Sequence, residues 1–361
     1  MPGLTNADIP DLLNAALPHF NRKDGGFEST LELQNYAVLD KLFDKEKRKV
    51  KNGESISMRI LLRASGQAQH MGLYESKARS VDSYVEKVTG HWTHTETDMS
   101  YDARELIMAS GESEIFDILK SRRQATYEGL ANLIEQDCQV TPENASDTKS
   151  PLGFPFWICP MAPGTESVTG GFNGDTVVYA DGSTSNVTAG IDRSAARNRR
   201  FRNWNATYSD FDASTLELMR KACRYTDFRG PRMVKKVNGM MSPIWSWFVN
   251  LDIANQYEEL VNAGPDDRRG DYSPFNGELS FKKIPVQATA ALNGISYDPI
   301  YLINTKCFFP YVLGDRWVKE GKAMNDVDSH NVYTVPVDCS WQLFCTNVRN
   351  GGAVIHKPIA A

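Results

Sequence analysis

Six histidines, six cysteines and a run of five arginines are the residues of this chain most able to do chemistry, and their spacing limits what each can do. His91 and His94 are the one close histidine pair. On a helix that spacing lets two imidazoles share a metal, but on a strand it points them to opposite faces. The neighbouring Trp92, Thr93 and Thr95 are strand formers, so no metal site is expected. His19, His70, His330 and His356 are scattered and assemble no nucleophile-base pair. Cys138, Cys159, Cys223, Cys307, Cys339 and Cys345 lie far apart with no C-x-x-C, which fits buried free thiols better than a zinc ribbon or a disulfide scaffold. Gly170-Gly-Phe-Asn-Gly174 resembles a phosphate loop, yet the strand-like Asp175-Thr-Val-Val-Tyr follows it where a phosphate cradle needs a helix. A structural turn is expected there. Asp98, Asp102 and Glu105 read as a charged strand end, and Arg269-Gly-Asp271 as a charged turn. No catalytic, cofactor-binding or metal residue is assigned, and no enzyme activity is expected.

Arg193-Ser-Ala-Ala-Arg-Asn-Arg-Arg-Phe-Arg-Asn-Trp204 sets five guanidinium groups beside two rings. Single-stranded nucleic acid is bound by this combination, through phosphate contacts and base stacking. Protein interfaces favour it too, because Arg pairs with carboxylates in bidentate fashion and stacks on rings. The chain carries 40 Lys and Arg against 45 Asp and Glu, a net charge of -5, with pI near 5.8, so it exerts no long-range pull on phosphates. Arg197, Arg199, Arg200 and Arg202 are therefore expected at an inter-subunit contact. The alternative is a single-stranded nucleic-acid-binding protein that uses Arg193 to Trp204.

The elements that must carry these residues follow from periodicity. Residues 1–45 read as an arm, with Leu31, Leu33, Val38, Leu39, Leu42 and Phe43 only partly at helical spacing. Ile56, Met58 and Ile60 alternate within residues 54–63, as on a strand with one apolar face. Residues 90–101, rich in Thr and aromatics, read as its return strand, and 64–90 as an exposed loop. Ten strand residues reach about 33 Å. This hairpin precedes any core able to bury it, so it is expected to project and to find its partner on another copy. Arg63, Tyr74 and Trp92, carried on it, are the other expected contacts. From Glu112 to about Cys138, Ile115, Ile118, Leu119, Leu130, Leu133 and Ile134 fall mostly on one face of a helix about 40 Å long. Residues 141–151 have linker composition. Beyond them come a helix capped by Asp212 or Ser214, another over residues 252–263, and strands at 284–292, 300–304, 332–337 and 342–348.

At 361 residues, 41% hydrophobic and 24% charged, the chain can bury one or two ordinary cores. No apolar run approaches the roughly 20 residues of a membrane span, and residues 1–20 lack the pattern of a secretory signal, so a cytosolic protein is expected.

Six segments in order carry a resemblance: Thr30-Leu-Glu-Leu-Gln-Asn-Tyr-Ala-Val-Leu-Asp40, His91-Trp-Thr-His-Thr-Glu-Thr, Ile115-Phe-Asp-Ile-Leu-Lys-Ser-Arg-Arg123, Ser150-Pro-Leu-Gly-Phe-Pro-Phe-Trp157, Gly170-Gly-Phe-Asn-Gly174 and Ala189-Gly-Ile-Asp-Arg193. Together they resemble the major capsid proteins of tailed bacteriophages. The resemblance implies an α+β Hong Kong 97-type capsid fold. Its parts would be an N-terminal arm at 1–45, an extended hairpin loop at 46–105, a peripheral domain with a spine helix at 106–150 and 285–361, and an axial domain at 151–284. It implies hexamers and pentamers of this chain closing an icosahedral head around double-stranded DNA, held without sequence-specific contacts. Scaffold, portal and cement proteins would be further partners, with assembly in the host bacterial cytoplasm and no membrane stage. Some members crosslink through a Lys and an Asn and some are cut by a maturation protease, but neither feature matches a position here.

Overall fold

The computed structural model describes residues 36–43, 47–51, 53–63, 68–76, 83–108, 112–228, 243–262, 279–325 and 331–359. Two sheets organise them. In the first, the long strand Val332–Cys345 is the centre. One edge of it takes Thr93–Asp102 in an antiparallel ladder from Val332 opposite Asp102 to Trp341 opposite Thr93. Its other edge takes Met324–Asn325, Lys319–Glu320 and Phe308–Leu313 in turn, and Arg48–Val50 pairs outside the last of these. The second sheet has seven strands in the order Ser280–Phe281, Ile284–Ala288, Trp245–Val249, Ile300–Asn304, Gly352–His356, Asn203–Thr207 and Gly171–Gly174. The helices Ala213–Thr226 and Leu251–Asn262 pack on it through Leu216, Met219, Ala222, Ile253 and Tyr257, against Trp204, Trp247 and Ile355. One apolar core lies between these helices and the second sheet; the larger one takes residues from both sheets, with Phe248, Tyr301, Ile303 and Val354 of the second beside Phe308, Val335, Trp341 and Phe344 of the first.

The hairpin differs from expectation. Ile56–Leu61 pairs with Val85–Gly90, not with residues 90–101, and this two-stranded ribbon joins no other strand among the described residues. Residues 93–102 lie instead in the six-stranded sheet, so the expected extended loop at 46–105 is shorter. The physical reason is in the alternation. Thr93, Thr95, Met99 and Tyr101 are buried while His94, Glu96, Asp98 and Ser100 are exposed. The buried Thr95 hydroxyl accepts from Trp341 Nε1 at 3.3 Å, so a face that reads as polar is still satisfied inside. At the far end of the ribbon Leu73 and Tyr74 are almost wholly exposed.

The helix Glu112–Asp137 forms as expected and spans about 39 Å at 1.5 Å per residue. Leu119, Leu130, Ile134 and Cys138 make its buried stripe. Leu133 lies to one side of that stripe and is 42% exposed, contrary to its expected place. Within the same face Arg123 Nε meets Glu320 Oε1 at 2.6 Å and Tyr127 donates to the same carboxylate, fastening the helix to the sheet edge. The arm residues 1–35 lie outside the described residues. Residues 36–43 end the arm as a turn whose Val38, Leu42 and Phe43 are buried, with Phe43 stacked at 5.0 Å on Trp317. Glu135 secures this turn: its two carboxylate oxygens accept from Val38 N and Leu39 N, each at 3.1 Å. Burial pushes the Glu135 carboxyl up to about 7, against the pull of those two donors and helped by the charge of Asp40.

The sheets meet at Phe154–Trp157, a single helical turn buried throughout. Phe154 touches Phe308 of one sheet at 5.1 Å and Phe248 of the other at 6.0 Å. Trp157 Nε1 donates to Leu343 O at 3.1 Å. Residues 141–151 run up to this joint as an ordered loop rather than a free linker. The Asp147 carboxylate accepts from Glu143 N, Lys149 N and Ser150 N, and hydrogen bonds from Ser150, Lys149 and Glu143 overcome its burial to hold it down at about 2. The residues beyond 285 contribute strands to both sheets. Ile300–Asn304 and Gly352–His356 are ladder strands between Trp245–Val249 and Asn203–Thr207, so 285–361 divides between both sheets.

Leu130→Asp is expected to lower the unfolding free energy by roughly 3–5 kcal/mol through an unpaired buried charge, and Leu133→Asp by less than about 1 kcal/mol, read as urea midpoints. The raised Glu135 value gives a stabilisation that is complete below the unfolded value of 4.5 and is lost as pH rises through about 7. The stability of the native sequence relative to Glu135→Gln should therefore fall when pH is raised from about 5 to about 8.

Candidate assembly surface

Asp212 caps the helix Ala213–Thr226, accepting from Ser214 N at 2.9 Å and Thr215 N at 3.1 Å. The far end of that helix delivers Tyr225 and Phe228 to one side of the second sheet, where Phe172 of Gly171–Gly174 meets both rings. Arg349, in the turn Val348–Gly351, lies 3.9 Å over the Phe172 ring and 5.1 Å from that of Phe228. Alongside runs the 3-10 helix Ala196–Phe201. Between these elements and residues 58–63 of the hairpin opens a cleft of about 980 Å³. Arg59, Arg63, Arg199, Arg200, Arg202 and Arg349 all reach it.

Four of these six were expected at a contact surface, and they differ in what they already hold. Arg63 is paired across the hairpin with Glu86 at 3.0 Å. Arg202 donates to Arg193 O at 2.8 Å and Ser194 O at 2.9 Å, and approaches Asp175 at 3.4 Å. Arg199 and Arg200 are exposed and form no ion pair with any described carboxylate. Arg197 is exposed outside the cleft. Tyr74 is fully exposed at the hairpin end, away from the arginines. Trp92 is buried, 7% exposed, and donates from Nε1 to Gly53 O at 2.8 Å, so it braces the hairpin base and offers no surface to a second copy. Sequence reasoning missed Arg59 and Arg349. Arg59 had a signal, since it lies on the same strand as the alternating Ile56, Met58 and Ile60 and is one of its polar positions. Burial lowers the Arg349 guanidinium below its ordinary value, and the charges of Arg200 and Arg199 add to the fall.

Arg193 has another role. Its side chain is fully buried, with no carboxylate among its partners. One terminal nitrogen donates to Gly174 O at 3.0 Å and Cys159 Sγ at 3.2 Å, and the other to Trp157 O at 2.9 Å and Phe156 O at 3.3 Å. The ring of Phe201 lies 5.1 Å from the guanidinium carbon. Gly174 can come this close because it has no side chain; a Cβ there would stand 1.9 Å from Asn203 Oδ1. Phe201 and Trp204 are 2% and 1% exposed, so neither ring is free to stack on a base, which removes the platform the nucleic-acid alternative requires.

The other candidate residues have ordinary structural places. His91 Nε2 faces Ser150 O and His94 Nδ1 faces Ser340 Oγ, each at 2.8 Å. Five of the six thiols are buried and Cys223 is half-buried, all of them free, and burial pushes Cys339 and Cys345 up to about 12. Gly171–Gly174 is a strand, and the expected turn lies just before it, where Gly170 N donates to Ser167 O at 3.3 Å. Arg269-Gly-Asp271 lies outside the described residues. Among the described residues no three His, Cys, Asp or Glu side chains gather where they could hold a metal ion, and no helix is long and apolar enough to cross a membrane.

No protein-family model matches the sequence, and comparison with curated proteins finds no relative. Solved structures do match, over nearly the whole chain. The capsid asymmetric unit of cyanophage A-1(L) is 15% identical with a TM-score of 0.57, covering 99% of this chain and 100% of that one. The capsid of Myoviridae phage XM1 is 9% identical with a TM-score of 0.54, covering 93% and 96%. The SrpI encapsulin complex of Synechococcus elongatus PCC 7942 is 8% identical with a TM-score of 0.52, covering 95% and 94%. The chain has the Hong Kong 97-type capsid fold. Within this capsid fold the arginine cleft lies between the hairpin strand and the body, and Arg193 lies at the joint between the sheets.

Arg193→Met should leave several buried acceptors unpaired and lower stability by at least about 2 kcal/mol. Arg197→Met, on the surface, should stay within about 0.5 kcal/mol of the native sequence. Thermal and denaturant melts of the two variants check the contrast.

Proposed function

We propose that this protein is a major capsid subunit that self-assembles into hexamers and pentamers and closes an icosahedral head around double-stranded DNA. The observation that carries the reading is the hairpin. A two-stranded ribbon is marginal in water; one face of this one, Ile56, Ile60, Leu62 and Val88, is buried on its own chain, while Leu61, Val85, Leu73 and Tyr74 stay exposed with no cover among the described residues. The cover is a neighbouring copy. On this reading the ribbon is the extended loop, the six-stranded sheet with the long helix is the peripheral domain, and the seven-stranded sheet with its two helices is the axial domain. Arg197, Arg199, Arg200 and Tyr74 face other subunits. Two rigid sheets joined to a slender hairpin let one sequence occupy the slightly different environments of five-fold and six-fold rings. A net charge of -5 suits a container that must hold DNA without gripping it. Scaffold, portal and cement proteins are the further partners, assembly takes place in the host bacterial cytoplasm, and the subunit has no catalytic role.

The likeness to an encapsulin complex favours a second reading, a closed shell that is not a virus head. Electron microscopy and sedimentation of the purified protein test the shared part: capsomers, sheets or shells are expected, and a stable monomer at high concentration with an ordered hairpin would overturn both readings. Nuclease-protected double-stranded DNA in particles from the native source supports the capsid, and particles free of nucleic acid support the second reading.

A further inference from the structure

The arginine cleft and one acidic stripe of the same chain are complementary, and neither is matched within the described subunit. In the cleft, Arg63 and Arg202 are already held by Glu86 and Asp175, while Arg59, Arg199, Arg200 and Arg349 have no ion pair with a described carboxylate. Arg59 stands opposite Lys87 in the hairpin ladder, so its nearest cross-strand neighbour repels it. The rings of Phe172 and Phe228 give the cleft an apolar floor, and a low-dielectric surface strengthens a charge pair formed above it. The stripe lies on the exposed side of Thr93–Asp102. Among the described residues Glu96 has no ion-pair partner and Asp98 accepts only from Ser100 Oγ at 2.7 Å. Being two residues apart on a strand, these carboxylates share one face at a separation of about 7 Å. The long ladder to Val332–Cys345 holds that strand rigid. The exposed carboxylates of Leu251–Asn262 are a poorer match. Asp252 lies in the first turn, where the helix dipole already favours it, and Glu258 and Glu259 are nearly two turns away.

We propose that the arginine cleft of one copy receives the Glu96 and Asp98 stripe of the next. The inference rests on the shell reading and deepens it. Because cleft and stripe are different surfaces, the contact is heterologous, each subunit giving one face and taking the other, and such contacts close into rings when the rotation permits. The occupant is a second copy and not a nucleic acid, because the chain is acidic overall and supplies the counter-charge itself.

Charge reversal of the full chain tests this. Arg199→Glu with Arg200→Glu, and separately Glu96→Arg with Asp98→Arg, should each reduce the assembled fraction at least ten-fold in sedimentation while circular dichroism and melting stay native-like. The four changes in one chain should restore assembly. A mixture of the two double variants should also recover rings, since each cleft then finds an opposite stripe on the other variant. Such alternation fits six-membered rings and not five-membered ones, so the mixture should give open sheets or tubes in place of closed shells. The milder Glu96→Gln with Asp98→Asn serves if a reversal disturbs folding, and should weaken assembly in the same direction. Three results overturn the proposal: a stripe variant that assembles like the native chain, a four-fold variant that stays unassembled though folded, or a cleft variant that assembles normally and loses only bound nucleic acid. Native protein that never assembles would instead sink the shell reading itself.

Discussion

A buried guanidinium without a carboxylate holds the subunit together. Arg193 spreads its charge over carbonyls from the Phe154–Trp157 turn, where the two sheets meet, and from Gly174 of the seven-stranded sheet. Backbone dipoles stabilise an ion less than a carboxylate does at equal distance, but several of them fix it from several directions, and direction is what a joint needs. Phe154, wedged between Phe248 and Phe308, removes the remaining freedom. The two sheets therefore turn as one body, and the slender hairpin is the part left to adapt.

What the sequence revealed follows the range of the interactions involved. Strand alternation at Ile56, Met58 and Ile60, the long apolar stripe through Leu119, Leu130 and Ile134, and the cap at Asp212 are local patterns, and all are observed. The partner of residues 93–102 was not legible, because His94 meets Ser340 across 246 positions of sequence. Leu133 was misplaced since helical spacing gives the direction of a side chain but not the width of the surface that covers it. The arginine cleft was half legible. Its consecutive members stand out at 199–202, whereas Arg59 and Arg349 join them only when three distant segments fold together. Arg193 and Trp204 show the opposite failure, as residue types common at interfaces that are enclosed here by their own chain.

The distribution of charge matters more than its sum. A chain with net charge -5 keeps around one cleft four arginines without an ion pair among the described residues, and leaves carboxylates elsewhere on its surface. Screening over a Debye length of about 8 Å at physiological salt hides the sum from a distant partner but not the cleft from a touching one. Two molecules with this distribution repel weakly at long range and discriminate at contact. That combination favours correctable association over rapid, irreversible clumping.

The order in which the strands are made has its own consequence. Val332–Cys345 is the centre of one sheet and Gly352–His356 lies inside the other, yet both are translated after nearly every strand they pair with. Until they emerge from the ribosome, Thr93–Asp102, Asn203–Thr207 and Ile300–Asn304 each lack a neighbour. Neither core can close, and folding must wait on contacts of very long range. A partly synthesised chain thus has no finished surface, and translation itself acts as the clock that sets when either core can close.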